Sequence, residues 1–419
     1  MKNDRKNILW LSHLIPYPPK GGVLQRAYHL VRETAKYHNV YLLAFNQPDL
    51  IEPLFPNQEQ GMQEARDELG AFCEYVEFVK IPLEQRFYGK ERMALSSLFS
   101  EHPYNLNWLI SDEYRLKIKA IMSKTEIDLI HFDTISLLPY KDLAKNLPTV
   151  LDHHNIESHM LIRRANNEKN LLKRFFFRQE GRRLEVIEKE ACPTFSLNIT
   201  CSQIDADRLT SIAGQCGSTE VPNGVDIDFF KSVNKQLGNI PRLLFVGTLS
   251  WYPNAEAANF IANELWPTLR KSIPNIEFDI VGANPAKNLL TLAQSEPHFK
   301  VHGFVNDVRD YFEQADIFIC PISDGGGTKL KVLDAFAMGM PVIAHPVACE
   351  GINVTQDKNV LFAQTPEQYI EKISYLLNNE LIKYNLGMEA RKLVEDQYAY
   401  NSIGQKLSKL YNNCIINNR

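Results

Sequence analysis

Residues 316–346 constrain this chain more than any other stretch. Asp316 to Ile322 is a short apolar run with branched and aromatic residues, as a buried parallel strand needs. Gly325, Gly326 and Gly327 follow, and a backbone without Cβ can turn tightly and approach a ligand closely. A helix is expected from about Lys329 to Met338, stopped by Gly339 in the left-handed position and by Pro341. Pro341 to Ala344 then opens a second strand. A glycine loop at a helix N-terminus gathers free N–H groups and the positive end of the helix dipole, and Lys329 and Lys331 add full charges. Asp334 lies further along the same helix. Phosphate would repel its carboxylate, which instead suits hydroxyl groups. Phosphate at one end and hydroxyls at the other outline a nucleotide-sugar. A glycine-rich turn before a core helix with solvated lysines fits the same pattern, and pattern alone leaves both readings open.

At 419 residues the chain exceeds one ordinary core, so two domains are expected. A net charge of −4 argues against a general nucleic-acid binder. Seven cysteines without a CxxC pair suit a reducing cytosol and neither a disulfide framework nor a zinc site. The apolar run Ile8 to Leu11 is too short for a signal peptide, and no stretch approaches a transmembrane helix, so any membrane contact is expected to be peripheral.

The chain opens with its own strand, glycine loop, helix and strand: Asn7–Leu14, Gly21-Gly22, Val23–Tyr37 and Val40–Phe45. That order implies a right-handed crossover in a parallel sheet. Further strands are expected at Tyr75–Ile81, Ile127–Phe132, Thr149–Asp152 and Phe195–Cys201. In such sheets the strand C-termini face the ligand crevice. His131 and Asp133 are therefore site candidates, as is the polar run Asp152-His153-His154-Asn155-Ile156-Glu157. For His131 alone, packing at a domain wall competes with that role. The His and Glu spacing fits no common zinc signature, so no metal is expected. Between Arg163 and Lys189 stand nine Lys or Arg against four Glu, with Phe175, Phe176 and Phe177 embedded. This suits a patch for anionic lipid, and equally a solvated helix face.

Residues 227–239 are polar and read as the interdomain linker. After them come expected strands at Leu243–Gly247, Phe278–Gly282 and Val301–Val305, a helix at Ala255–Ser272 and a C-terminal helix over Tyr398–Asn413. Two successive α/β domains, each with a glycine loop, suggest a ligand held between them.

Val221-Pro-Asn-Gly-Val-Asp226, Leu244-Phe-Val-Gly247, Ile280-Val-Gly282, His302-Gly-Phe-Val305 and Gly326 to Ala344 stand in the order and spacing of a known family. The chain resembles a family 4 glycosyltransferase of the GT-B type, of bacterial polysaccharide-synthesis character. The resemblance implies two facing Rossmann-like domains: residues 1–226 on the acceptor side, joined by a crossover helix over 399–419, and residues 239–398 binding the donor. It implies a retaining, metal-independent transfer from a nucleotide-diphosphate sugar to a hydroxyl of a saccharide or lipid-linked saccharide, in the cytoplasm or at the inner face of the membrane. No cofactor beyond the donor is implied. Gly21, Gly22, Thr248, Gly282, Phe304, Val305, Gly326, Gly327, Thr328, Lys329, Lys331 and Asp334 fall on the donor side. His131, His153, His154 and Glu157 fall on the acceptor side, and Lys329, Lys331 and Asp133 are the catalytic candidates.

The sequence departs from the family pattern at three places. Gly326 replaces a Glu that often contacts the donor sugar. Thr248 and Asn254 stand where many members have an Arg and a Lys on the diphosphate, so Lys329 and Lys331 are expected to compensate. Asp133 occupies the place of a common N-domain His. A sugar-nucleotide hydrolase or epimerase of the same fold, and a non-catalytic sugar-nucleotide-binding subunit, remain alternatives.

Overall fold

The computed structural model describes residues 5–20, 22–48, 55, 57–82, 89–100, 102–231, 238, 240–325 and 327–418. Gly21 and Gly326, both expected at the donor site, lie outside the described residues. The chain divides into two compact units, Met1–Pro222 with Asn401–Arg419, and Asn223–Tyr400.

The first unit is a seven-stranded parallel sheet. Its strands are β1 (Asn7–Ser12), β2 (Asn39–Asn46), β3 (Tyr75–Lys80), β4 (Leu129–Phe132), β5 (Thr149–His153), β6 (Leu197–Thr200) and β7 (Ser218–Glu220), in spatial order β3-β2-β1-β4-β5-β6-β7. Leu9 and Leu11 of β1 and Ile130 and Phe132 of β4 are fully or nearly fully buried, as strands covered on both faces require. The C-terminal helix, Tyr400–Asn417, closes this sheet rather than the second one. Its Tyr411 hydroxyl bonds to His131 Nδ1 at 2.8 Å, and its Ser408 meets His38 Nε2 at 2.8 Å.

The second unit repeats the plan with six strands: β8 (Arg242–Val246), β9 (Glu277–Val281), β10 (Phe299–Val301), β11 (Ile317–Cys320), β12 (Val342–Ala344) and β13 (Leu361–Phe362), in order β10-β9-β8-β11-β12-β13. Every pairing within both sheets is parallel. Two sheets of this order define the α/β GT-B class.

The structure corrects two local expectations. The strand expected at Val301–Val305 ends at Val301, because Gly303 turns the chain at φ +66°. The stretch 227–239 is not simply a linker: Phe230 is buried in the core of the second unit, its ring 6.4 Å from that of Phe312.

The helix of the opening motif runs Leu330–Ala337 and stops as its sequence dictates. Gly339 takes φ +65°, and Met340 N–H donates to the Ala335 carbonyl at 2.9 Å. The helix Glu380–Gln397 crosses this stop with Gly387 at the contact, where an added Cβ would lie 2.1 Å from the Gly339 carbonyl oxygen. Gly387→Ala is therefore expected to destabilise the second unit by about 1–3 kcal/mol, as overpacking does. Urea unfolding followed by tryptophan fluorescence measures this as a lower midpoint.

Candidate functional sites at the strand ends

The order of each sheet reverses beside its first strand, so loops leave a crevice at the strand C-termini there. In the second unit the reversal lies between β8 and β11. One loop continues β8 through Gly247, Thr248 and Asn254; the other continues β11 through Gly325 to Lys329. Gly247 and Gly282 nearly touch, since a Cβ on Gly282 would lie 1.8 Å from the Gly247 carbonyl oxygen. Asn254 Nδ2 donates to the Thr248 carbonyl at 2.9 Å, which folds this turn onto itself.

Lys331 reaches across to that turn. Its ammonium donates to Asn254 Oδ1, lies 5.5 Å from the centre of the Phe245 ring, and would be 2.8 Å from any Cβ placed on Gly247. Burial lowers the Lys331 pKa, against Cys320 and Asp334, which raise it. Lys329 behaves differently. Its ammonium donates to the Gly325 and Gly327 carbonyls, each at 2.8 Å, and so braces the glycine loop from within. Gly325 and Gly327 hold φ +105° and +71° in that loop. The Thr328 hydroxyl oxygen is buried with no hydrogen-bond partner among the described residues. A buried, unmatched hydroxyl beside a helix start is what a bound oxyanion would satisfy.

Asp334 lies one turn into the helix. Burial pushes its pKa up to about 8, against Lys331, which lowers it. Phe304 is half-exposed on the loop after β10, and Val305 packs against the core beside it. Gly22 is the exposed first residue of the helix Gly22–Tyr37 in the first unit.

In the first unit, β1, β4 and β5 deliver a second polar cluster. His13 Nδ1 and backbone N–H meet Asp133 Oδ1 at 2.9 and 3.0 Å, and the Ser12 hydroxyl donates to Asp133 Oδ2 at 2.6 Å. Burial acts to lower the His13 pKa, but Asp133, with Glu157 and Asp152, raises it, and the net shift is upward. Burial acts to raise Asp133, and His13 with Ser12 holds it below the usual value. His154 packs edge-on to His13 with ring centres 5.6 Å apart, and burial pushes its pKa down to about 4. Its Nε2 has no partner among the described residues. Ligand-capable atoms of His13, Asp133 and His154 lie within 4.8 Å of one another, a donor set that could also hold a cation. Glu157 flanks the cluster, accepting from the Thr134 hydroxyl at 2.6 Å and Asn105 Nδ2 at 2.5 Å.

Asp133, His154 and Glu157 thus gather as expected from their strand ends, with His13 added. Two sequence candidates do not join them. His131 is fully buried, stacked on Trp10 at 3.7 Å and bonded to Tyr411. His153 is buried and bonds to Asn198 Oδ1 at 3.1 Å. His13 was legible only as the polar residue that ends the first apolar run. Nothing local marks its pairing with Asp133, which is 120 residues away. Arg26 was also missed: its guanidinium holds Asp152 by two bonds of 2.8 and 3.1 Å, fixing the end of β5.

Residues 240–379 match the family model described as Glycosyl transferases group 1. An uncharacterized protein in the cps region of Klebsiella pneumoniae is 22% identical across 93% of this chain and 96% of its own length. An uncharacterized glycosyltransferase of Haemophilus influenzae is 26% identical over 32% of this chain, a match spanning only 39% of that protein. Among solved structures, sucrose-phosphate synthase from Thermosynechococcus elongatus superimposes with a TM-score of 0.70 at 15% identity, over 99% of this chain and 100% of that one. An Anabaena protein crystallised with UDP gives 0.66 at 15% identity, over 97% and 100%. The fold is of the GT-B type, and residues 240–379 of the second unit resemble Glycosyl transferases group 1.

Two measurements probe these clusters. Asp133→Asn should lower the His13 titration, followed by histidine ring-proton NMR, because burial still acts to lower it and only the weaker pull of Glu157 and Asp152 remains to raise it. Asp334 has a folded-state pKa above its unfolded value of 3.8, so its stabilising contribution is full at low pH and is lost as pH rises towards about 8. Asp334→Asn, which keeps the uncharged form, should therefore raise the melting temperature relative to wild type at about pH 9 and hardly at all at about pH 4.

Proposed function

We propose that this chain is a retaining, metal-independent glycosyltransferase that moves a sugar from a nucleotide-diphosphate sugar, with UDP the first candidate, to a hydroxyl of a saccharide or lipid-linked saccharide. The work belongs to cell-surface polysaccharide or glycolipid synthesis at the cytoplasmic side of a membrane. One observation carries the reading: Lys331 places its ammonium at Asn254 and against Gly247, on the turn where the family resemblance implies the diphosphate cations. The buried Thr328 hydroxyl and the helix start complete an oxyanion site, and Asp334 sits where ribose hydroxyls would follow. Lys329 shapes the loop and Lys331 carries the charge. The UDP in the Anabaena structure and the cps-region setting of the Klebsiella relative support the donor and the pathway class.

In the transfer, the bond between the anomeric carbon and the diphosphate oxygen breaks as the acceptor oxygen bonds to the same face of that carbon. The acceptor proton passes to the departing phosphate oxygen. Lys331, Thr328 and the helix N-terminus stabilise the charge that develops on the leaving group. His13 and Asp133, bonded to each other, offer the first unit's donors and acceptors for hydroxyls. Hydrolysis would call for two carboxylates about one bond. Beside Asp334 the loop offers only Asp324, whose Oδ1 is turned back to accept from Gly325 N–H at 2.7 Å.

The test begins with thermal shift against UDP, GDP and ADP, where the bound nucleotide should raise the melting temperature. Nucleotide release is then assayed with and without added acceptor. Lys331→Ala should lower kcat/KM by about 10²-fold or more, and Lys329→Ala by less. Equal activity in Lys331→Ala would remove the phosphate assignment. Release that is independent of acceptor would replace transfer with hydrolysis, and binding without turnover would leave a binding subunit.

A further inference from the structure

The basic stretch after Glu157 folds into two helices, Glu157–Asn167 and Leu171–Ala191, joined by a short turn. They are locked together along their length. Ser158 bonds to Glu188 through its backbone N–H at 3.2 Å and also through its hydroxyl. In the middle, Gly181 lets Ile162 approach so closely that a Cβ would lie 2.8 Å from its Cγ1. At the far end the chain reads Leu171-Leu172-Lys173-Arg174-Phe175, and all five residues are exposed. Leu171, Leu172 and Phe175 leave 76%, 82% and 65% of their surfaces in water. Phe176 and Phe177 do not share this. They are half-buried, and Arg164 covers the Phe177 ring at 4.1 Å.

A second segment adds an exposed apolar side chain further along the same helix. Gln179 and Arg183 hold the carbonyls of Leu98 and Ser97 at 3.2 and 2.5 Å, which brings Phe99, 87% exposed, alongside the helix. Charge surrounds these side chains. From Arg163 to Arg178 there are six Lys or Arg and one Glu, on a chain whose net charge is −4. Along the rest of the second helix Glu180 and Glu188 are buried and bonded within the unit, and the exposed Glu185 and Glu190 lie at the end away from the tip.

We propose that this tip is a docking surface for an anionic lipid bilayer: Leu171, Leu172, Phe175 and Phe99 enter the interface, and Lys169, Lys173, Arg174 and Arg178 sit among the headgroups. Exposed apolar side chains with interleaved cations match an interface that is oily below and negative above. The arm also has a defined length. Its first helix begins at Glu157, beside His13 and Asp133, and its residues rise about 16 Å in all. A bilayer at the tip would hold the polar cluster within reach of a lipid-borne acceptor. The docking itself does not depend on the proposed transfer reaction.

The experiment is flotation of the full chain with vesicles of phosphatidylcholine alone or with about 30% phosphatidylglycerol, a composition chosen to report on charge. Wild type should float with the anionic vesicles and not the neutral ones, and salt should release it. The triple change Leu171→Ser, Leu172→Ser, Phe175→Ser and the double change Lys173→Glu, Arg174→Glu should each reduce the bound fraction at least tenfold, with unchanged melting temperature and nucleotide binding. Failure of wild type to float with anionic vesicles overturns the proposal, as does full binding by both variants. A concentration-dependent dimer that the triple change dissolves, without vesicle binding, would assign the tip to a second copy of the chain instead.

Discussion

The ammonium of Lys331 rests against a residue that has no side chain, and the second unit is arranged around that contact. Gly247 can accept the close approach only because it lacks a Cβ, and Gly282 must also lack one because the Gly247 carbonyl lies on it. Two adjacent strands therefore end in bare backbone, and the space above them receives a cation from the neighbouring helix. Parallel pairing of β8 with both β9 and β11 fixes the height of all three elements. The same sheet that buries Leu243, Leu244 and Phe245 thereby sets the place of the charge.

The first unit reaches a comparable result by different chemistry. There the strand ends supply a hydrogen-bonded pair, His13 with Asp133, and a ring whose pKa burial lowers, His154. Low local dielectric strengthens the pair and makes it costly to break. The second unit offers cationic and backbone donors, and the first offers side chains that can exchange roles as donor and acceptor.

How much of this could be read beforehand follows from the range of each interaction. The strands and the stop at Gly339 are written within a few residues, and the sequence displays them. The parallel sheet order follows from the alternation of strand and helix. The division of labour between Lys329 and Lys331 is not local. The two differ by two positions, so one faces the loop and the other the facing turn, and their charges alone do not distinguish them. His131 misled for a related reason: it stands at a strand end, where functional residues gather, yet Trp10 and Tyr411 claim it from distant parts of the chain. The basic arm could be read as either lipid-facing or merely solvated until the exposure of Leu171, Leu172 and Phe175 was known.

The return of the C-terminal helix to the first sheet has a consequence for how this chain is made. The first unit is discontinuous, and the segment from Asn401 onward completes its core. During synthesis its seven strands emerge early, but Ser408 and Tyr411, which pair with buried His38 and His131, leave the ribosome only after the whole second unit. The second unit is continuous in sequence and can finish first. The earlier half of the protein thus waits for a helix made after its neighbour, and a nascent chain cut short before Asn401 would carry a nearly complete second unit beside an unfinished first one.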